Sequence, residues 1–415
     1  MDGVFKGFVD HHTHAVSYGI KKTRVDLSNT RSKSEALSLV RKELEGSGKE
    51  IVIAEDWDET LWEEREFPKK EELDNISREK PIIMRRICGH IAVGNTPAID
   101  MIPDGYMVDK EKGIMYEDVV LYLNEIFKPD YSEIEEAILM MQEDFLSLGI
   151  VGINDICIPE YHRAYTELDR EGRILIKVKT FITDVHMDKI DSLENTGHVE
   201  LAGIKIFTDG SIGARTAAVK DFRYVDTDSS GLLLKDKEYI KKMIRFAEER
   251  GFVLAIHAIG DRAIGEVLAG FREYGDFNQP HRIEHFELAT DDQIKEAVRM
   301  GIVLSMQPNF IKNWSLPGGL YEDAFGEKYK KNNRVGLILC SGGIVVFGSD
   351  GMPYSPVYGI NSVVSAPFEE QRIGMEQAIE LYTDVESENT EVIIKNDLVM
   401  ETLIDGEVVF RRDGA

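Results

Sequence analysis

The chain has 415 residues, is 43% hydrophobic and carries a formal net charge of -26. That charge excludes nucleic acid and an anionic membrane surface as partners, and no uncharged apolar run reaches the roughly 18 residues that a membrane span needs. The length suits two or three domains, or one α/β barrel with insertions. Cys88, Cys157 and Cys340 are widely spaced and odd in number, and the N-terminus lacks a basic segment followed by a long apolar one. Together these predict free thiols in a reducing, cytoplasmic setting. Acidic residues are spread along the chain in helix-like segments such as 132–145 and 238–250 and read as solvated surface.

Segment 4–12 reads as a first strand, running into Asp10-His11-His12-Thr13-His14. Side chains two apart on a strand share a face, so His12 and His14 point the same way. Two imidazoles so placed make half of a metal site; the competing reading is a polar strand end with incidental histidines. Ser32-Lys33-Ser34-Glu35 is a capping box that opens a helix closed by Gly46. Segments 51–54 and 82–84 read as short buried strands, 58–78 as charged and helix-like, 94–117 as loop, and 119–127 as a helix.

From Ser132 the pattern becomes regular. Helices are predicted over 133–148, 160–171, 236–250, 261–274, 291–300 and 327–340. Strands are predicted over 150–156, 174–182, 203–207, 252–257, 282–285, 302–305 and 344–348. Strands alternating with helices imply parallel βαβ units. With the first strand there are eight, which predicts an α/β fold of the (β/α)8 TIM-like barrel type, with residues 50–130 inserted after strand one. An open doubly wound sheet would favour a glycine-rich phosphate turn after an early strand, and none is present.

Such barrels carry their chemistry at the C-terminal ends of the strands. Strand one ends in His12 and His14. Strand four contains Lys205 within Gly203-Ile204-Lys205-Ile206-Phe207. A lysine there either snorkels to water or has its charge removed or matched, because burying it otherwise is costly. Strands five and six end at His257 and His285, and strand eight runs into Asp350. A carboxylate in that position can bind a metal, accept a proton, or both. Each position alone is a weak signal; four histidines, a lysine and an aspartate at one rim predict a metal site.

The order His-x-His, Lys, His, His, Asp resembles the amidohydrolase superfamily. Gly203 to Ser211, His257-Ala258-Ile259-Gly260-Asp261, Arg282-Ile283-Glu284-His285, Gly348-Ser349-Asp350, Cys88-Gly89-His90 and Trp57-Asp58 resemble its amidohydrolase-3 branch. That branch includes N-substituted formamide deformylases and uncharacterised metal-dependent hydrolases. The resemblance runs from about residue 7 to residue 383. It implies a binuclear zinc centre, with one ion on His12, His14, Asp350 and a carboxylated Lys205, and a second on Lys205, His257 and His285. It implies hydrolysis of a non-peptide carbon–nitrogen bond, amide or formamide-like, by a metal-bound hydroxide, with Asp350 as proton shuttle. Asp350 and His90 are the catalytic candidates, and Trp57, His90, Asp209 and Arg215 the substrate-binding ones. His90 could equally hold its loop together, and Asp209 and Arg215 could only fix theirs.

Only eleven residues precede His12, and the tail after Thr383 is short. Relatives build a small β-sandwich from these two ends, so a reduced or absent sandwich is expected; an incorrect start site is the other explanation for the N-terminus. The expected division is a barrel over 1–383, with 50–130 as a lid, and a β-rich tail over 384–415. A small-molecule substrate is expected, and a homo-oligomer is plausible for the fold. The competing functions are a deaminase on the same barrel and a catalytically inactive binding protein. A deaminase of that type would use a glutamate just after the fifth-strand histidine, where this chain has Ala258-Ile259-Gly260-Asp261.

Overall fold

The computed structural model describes all residues except 47, 88–90, 117, 118, 120, 121, 124–126, 414 and 415. It divides into two compact units, Met1–Val16 with Met141–Ala415, and Ser17–Met140.

The first unit is built on eight parallel strands: β1 Phe8–Thr13, β2 Ile150–Cys157, β3 Lys177–Thr183, β4 Val199–Phe207, β5 Val253–Ala258, β6 Arg282–His285, β7 Val303–Met306 and β8 Ile344–Phe347. They pair in that order, β1 to β8. The sheet curls back on itself just past β8, where the Asp350 N–H donates to the His12 carbonyl at 2.9 Å and the Ser349 N–H donates to Asp10 Oδ1 at 2.9 Å. Gly348 permits this approach, since a Cβ there would lie 2.4 Å from the His12 nitrogen. The result is the predicted α/β barrel.

Apolar runs on the strands bury their outer faces under the helices. Ile240, Met243, Ile244 and Ala247 of the helix Lys237–Arg250 join Ile204, Ile206, Leu254 and Ile256 in one core, each 1% exposed or less. Full burial of an aliphatic side chain of this size contributes about 1.5–3 kcal/mol. The helix begins where Asp236 Oδ1 accepts from the Tyr239 N–H at 2.9 Å, satisfying a donor that has no partner within the helix.

The expected first strand, 4–12, is two strands. Gly3–Phe5 pairs antiparallel with Thr390–Lys395, and the barrel strand starts at Phe8. The break falls at Gly7, where a Cβ would meet Val151 and Thr390 at 2.6 and 2.7 Å. The tail contributes three strands, giving a four-stranded sheet ordered Gly3–Phe5, Thr390–Lys395, Leu398–Ile404, Glu407–Arg411. Residues 384–415 therefore belong to the same compact unit as the barrel. The expected helix 327–340 is a 3-10 segment, Gly326–Lys331, followed by a short helix, Val335–Cys340.

The second unit starts at Ser17, well before the predicted boundary at 50. Its six-stranded mixed sheet is ordered Val25–Asp26, Val52–Trp57, Ile82–Arg86, Ile91–Gly94, Ile114–Tyr116, Val108–Asp109. The expected loop 94–117 thus contains two of these strands, plus the helix Thr96–Asp100 capped by Asn95. The expected helix-like stretch 58–78 holds only the 3-10 turn Glu59–Leu61 and the helix Lys70–Asp74. The expected helix 119–127 lies largely outside the described residues.

Candidate metal centre

The barrel brings the predicted strand-end residues together. Ligand atoms of His12, His14 and Asp350 all lie within 4.8 Å of one another. Asp350 Oδ1 is 3.3 Å from His14 Nε2 and 3.6 Å from His12 Nε2. The His285 ring sits 4.8 Å from that of His12 and 4.6 Å from that of His257, centroid to centroid. Lys205 is fully buried, with its Nζ over the Phe207 ring at 4.9 Å.

The surrounding residues fix which nitrogens are free. Glu284 Oε2 accepts from His12 Nδ1, which leaves His12 Nε2 as the bare nitrogen. Gln307 Oε1 accepts from His285 Nδ1 at 2.7 Å, with the same consequence for His285 Nε2. The Gly210 carbonyl accepts from His257 Nε2 at 3.0 Å, leaving Nδ1 bare. Partners of this kind set the tautomer and aim of metal-binding histidines. Glu284 is itself held by Arg282, whose guanidinium also donates to the His11 carbonyl.

Electrostatics follow from this packing. Burial lowers the Lys205 amine to about 8. Burial, reinforced by Lys205, lowers the His12 imidazole to about 4. Burial, together with His257 and His12, holds His285 well below its ordinary value. Burial alone would raise Asp350, but the hydrogen bond from His14 and the charges of His12, His14 and His285 hold it well below the usual carboxylate range. The same opposition operates at Glu284, where Arg282 and His12 outweigh burial.

Three residues here adopt left-handed backbone: His285 at φ 72°, Phe286 at 51° and Asp350 at 50°. Such conformations cost non-glycine residues about 1–2 kcal/mol each and cluster at functional sites. Two further observations bear on a metal. Lys205 Nζ and His12 Nε2 are buried without any hydrogen-bond partner. An unsatisfied buried polar atom costs about 1–3 kcal/mol, and a cation held among these donors, through a neutral or carboxylated Lys205, removes that cost. The donor set of imidazole nitrogens and carboxylate oxygen suits zinc or a neighbouring divalent ion. The residues present therefore fit the group.

A cavity of about 370 Å³ opens over these side chains. Its wall is largely apolar, with Ile212, Ile259, Phe310, Trp314, Leu320 and Tyr321. Glu287 joins it, 3% exposed, accepting from the Tyr321 hydroxyl and from Asn333 Nδ2 at 3.2 Å. Burial pushes its carboxyl up to about 7.

The other candidates have different places. Asp209 fixes a loop: its carboxylate accepts the N–H groups of Ala218, Ile259 and Gly260 at 2.9, 3.1 and 2.8 Å and stands 3.3 Å from His257 Nε2. Arg215 is engaged by Asp226 at 2.6 Å and by the Ile212 carbonyl at 2.8 Å. Trp57 is completely buried in the core of the second unit, stacked on Trp62 at 5.7 Å and edge-on to Phe67 at 5.0 Å. That is a packing position, occupied because a large ring fills the space between sheet and loop. His90 lies outside the described residues. Asp261, the acid nearest after His257, accepts the N–H groups of Lys220 and Asp221 and serves as a loop anchor.

Sequence reasoning missed Glu284, Gln307 and Glu287. A signal existed for the first: Arg282 and Glu284 are opposite charges two apart on a buried strand, hence on one face. Gln307 and Glu287 follow strands β7 and β6 with no pattern that separates them from ordinary loop residues.

Known proteins resemble this chain over most of its length. The sequence model of the amidohydrolase family matches residues 4–388. The Bacillus subtilis protein YtcJ is 27% identical over 92% of this chain and 78% of its own. Two crystal structures described as uncharacterized metal-dependent hydrolases are 28% identical over 92% of this chain. One is from Pyrococcus furiosus (TM-score 0.81, 82% of that chain covered) and one from Pyrococcus horikoshii OT3 (TM-score 0.80, 80% covered). With a family model spanning nearly the whole sequence, the chain belongs to the amidohydrolase family.

Proposed function

We propose that this protein is a metal-dependent hydrolase that cleaves a non-peptide carbon–nitrogen bond of a small amide or formamide-like molecule. The observation that carries this reading is the convergence of His12, His14 and Asp350, with Lys205 Nζ buried and unpaired in the same cavity. His12, His14 and Asp350 would hold one divalent ion, His257 and His285 a second, and Lys205 would serve both. For that, the Lys205 amine adds to CO2: an N–C bond forms, a proton leaves, and the resulting carbamate is an anionic oxygen donor. Burial favours this because it disfavours the protonated amine.

Bound zinc lowers the pKa of water and polarises a carbonyl. The protein's own contribution is orientation and proton transfer. Glu284 and Gln307 hold the rings of His12 and His285. Asp350 is ionised across the neutral range, so it can take a proton at its carboxylate and return it to the departing nitrogen. The apolar wall keeps bulk water from the reacting bond.

A screen of zinc-reconstituted protein against N-formyl and N-acyl amines, cyclic imides and lactones tests the reading, alongside metal analysis. About two divalent ions per chain and turnover of a carbon–nitrogen bond are expected. Asp350→Asn should keep most of the metal and lose about 10²–10⁴-fold in kcat. One ion or none in well-folded, unchelated protein, or undiminished turnover in the variant, would overturn the assignment.

A further inference from the structure

We propose that Glu287 selects the substrate, accepting an N–H or ammonium group from a molecule whose apolar body lies along Ile259, Phe310, Trp314 and Leu320. This rests on the hydrolase reading above, because the cavity is the same one.

Glu287 lies just beyond β6, two residues past His285, and lines the cavity. Both hydrogen bonds from its neighbours, the Tyr321 hydroxyl and Asn333 Nδ2, go to Oε2. Oε1 receives none from the described residues and is not among the sealed polar atoms, so it is open to the cavity. Apart from Lys205, no arginine or lysine is among the described lining residues. Arg215 is spent on Asp226 and the Ile212 carbonyl, and Arg282 on Glu284 inside the barrel.

A carboxyl group in an apolar wall without a counter-cation is expensive. Evolution of a cavity for apolar molecules alone would place an aliphatic side chain there. A ligand that brings a donor to Oε1 supplies the missing partner through a charge-assisted hydrogen bond, and a ligand bearing a carboxylate is repelled. The competing role is purely architectural: Glu287 ties the helix Leu320–Phe325 and the Asn333 segment to the end of β6. An architectural role predicts no discrimination between ligands that differ only in charge.

Calorimetric titration of the zinc-replete protein decides between them without any turnover. The probes are 2-phenylethylammonium, its neutral counterpart 2-phenylethanol, and the 2-phenylethylguanidinium ion, which keeps N–H donors but stays protonated and so does not ligate a metal. The ammonium is expected to bind at least about tenfold more tightly than the alcohol, and the guanidinium ion also more tightly than the alcohol. In Glu287→Gln that preference should fall to within about threefold, with the far-ultraviolet spectrum unchanged. Equal binding of all three probes overturns the proposal. So does a preference that persists in Glu287→Gln, which would mark an amine sitting on the metal. If the variant does not fold, the guanidinium ion against the alcohol in the wild-type protein remains decisive: no preference sinks the proposal. Failure of the hydrolase reading would appear separately, as normal probe binding with no amide hydrolysed.

Discussion

Replacing Glu284 by glutamine removes one charge and almost no volume from the barrel interior. Glu284 is completely buried and Arg282 is 6% exposed. The guanidinium reaches Glu284 with Nε and with Nη2, the latter at 3.1 Å from Oε2, and its further contacts include the neutral His11 carbonyl, Ser305 Oγ at 3.4 Å and the Phe181 ring at 4.9 Å. The variant therefore strands a cation among neutral groups. Breaking a buried pair in this way costs about 3–5 kcal/mol. At about 2.1 cal/mol/K per residue, a unit of this size should lose roughly 5–8 °C in Tm. Differential scanning calorimetry of chelated protein measures that loss without any contribution from bound metal. The double variant Arg282→Met/Glu284→Gln should recover most of it, because the stranded charge is gone. Metal affinity should stay low in the double variant, since His12 Nδ1 no longer donates to a carboxylate. A Glu284→Gln protein within about 1 kcal/mol of wild type would refute the claim that this pair organises the barrel interior.

His281 gives a pH signature away from the site. Burial holds its imidazole down at about 4, and its Nδ1 accepts the Leu254 N–H at 3.0 Å. The folded state therefore favours neutral imidazole: the contribution is complete above the unfolded value near 6.5 and is lost as pH falls toward 4. Stability from urea titrations should decline by up to about 1.4 kcal/mol per pH unit across that window from this group, and His281→Gln should flatten the slope. An unchanged slope would exclude His281 as its source. Gly348→Ala would press a methyl against the His12 backbone; a loss of about 1–3 kcal/mol and weaker zinc binding by dye competition are expected, and normal zinc affinity would count against tight closure at this point. Trp57→Ala should destabilise the second unit by about 3–5 kcal/mol and leave KM unchanged at temperatures where the protein is folded; a raised KM would return Trp57 to the substrate-binding candidates.

The candidate ligand residues stood out in the sequence because each interrupts or follows an apolar strand, and a histidine, lysine or aspartate there contrasts with valine and isoleucine. The eight strands were legible for the same reason: buried on both faces, they read as continuous apolar runs. The break at Lys6–Gly7 was not, since both halves are apolar and the difference lies in which sheet each joins. Residues 94–117 read as loop because their strands are only two and three residues long and flanked by glycine, proline and aspartate. Glu284 escaped notice because its role depends on Arg282 and His12, and the second of these is 272 positions away. Glu287 escaped because a single glutamate after a strand is ordinary until the cavity in front of it is seen.

The junction between β8 and β1 has a temporal meaning. His12 and His14 are synthesised well before Asp350 and the backbone that grips His12. The site cannot be assembled piecemeal as the chain emerges. It forms only when the two ends of the barrel meet, a closure of high sequence separation and thus a slow one. Zinc offered during synthesis would find two histidines on an unpaired strand and be held weakly. On the proposed function, metal acquisition would be timed to the completed fold, and retention of the ion would report whether the ring of strands has shut.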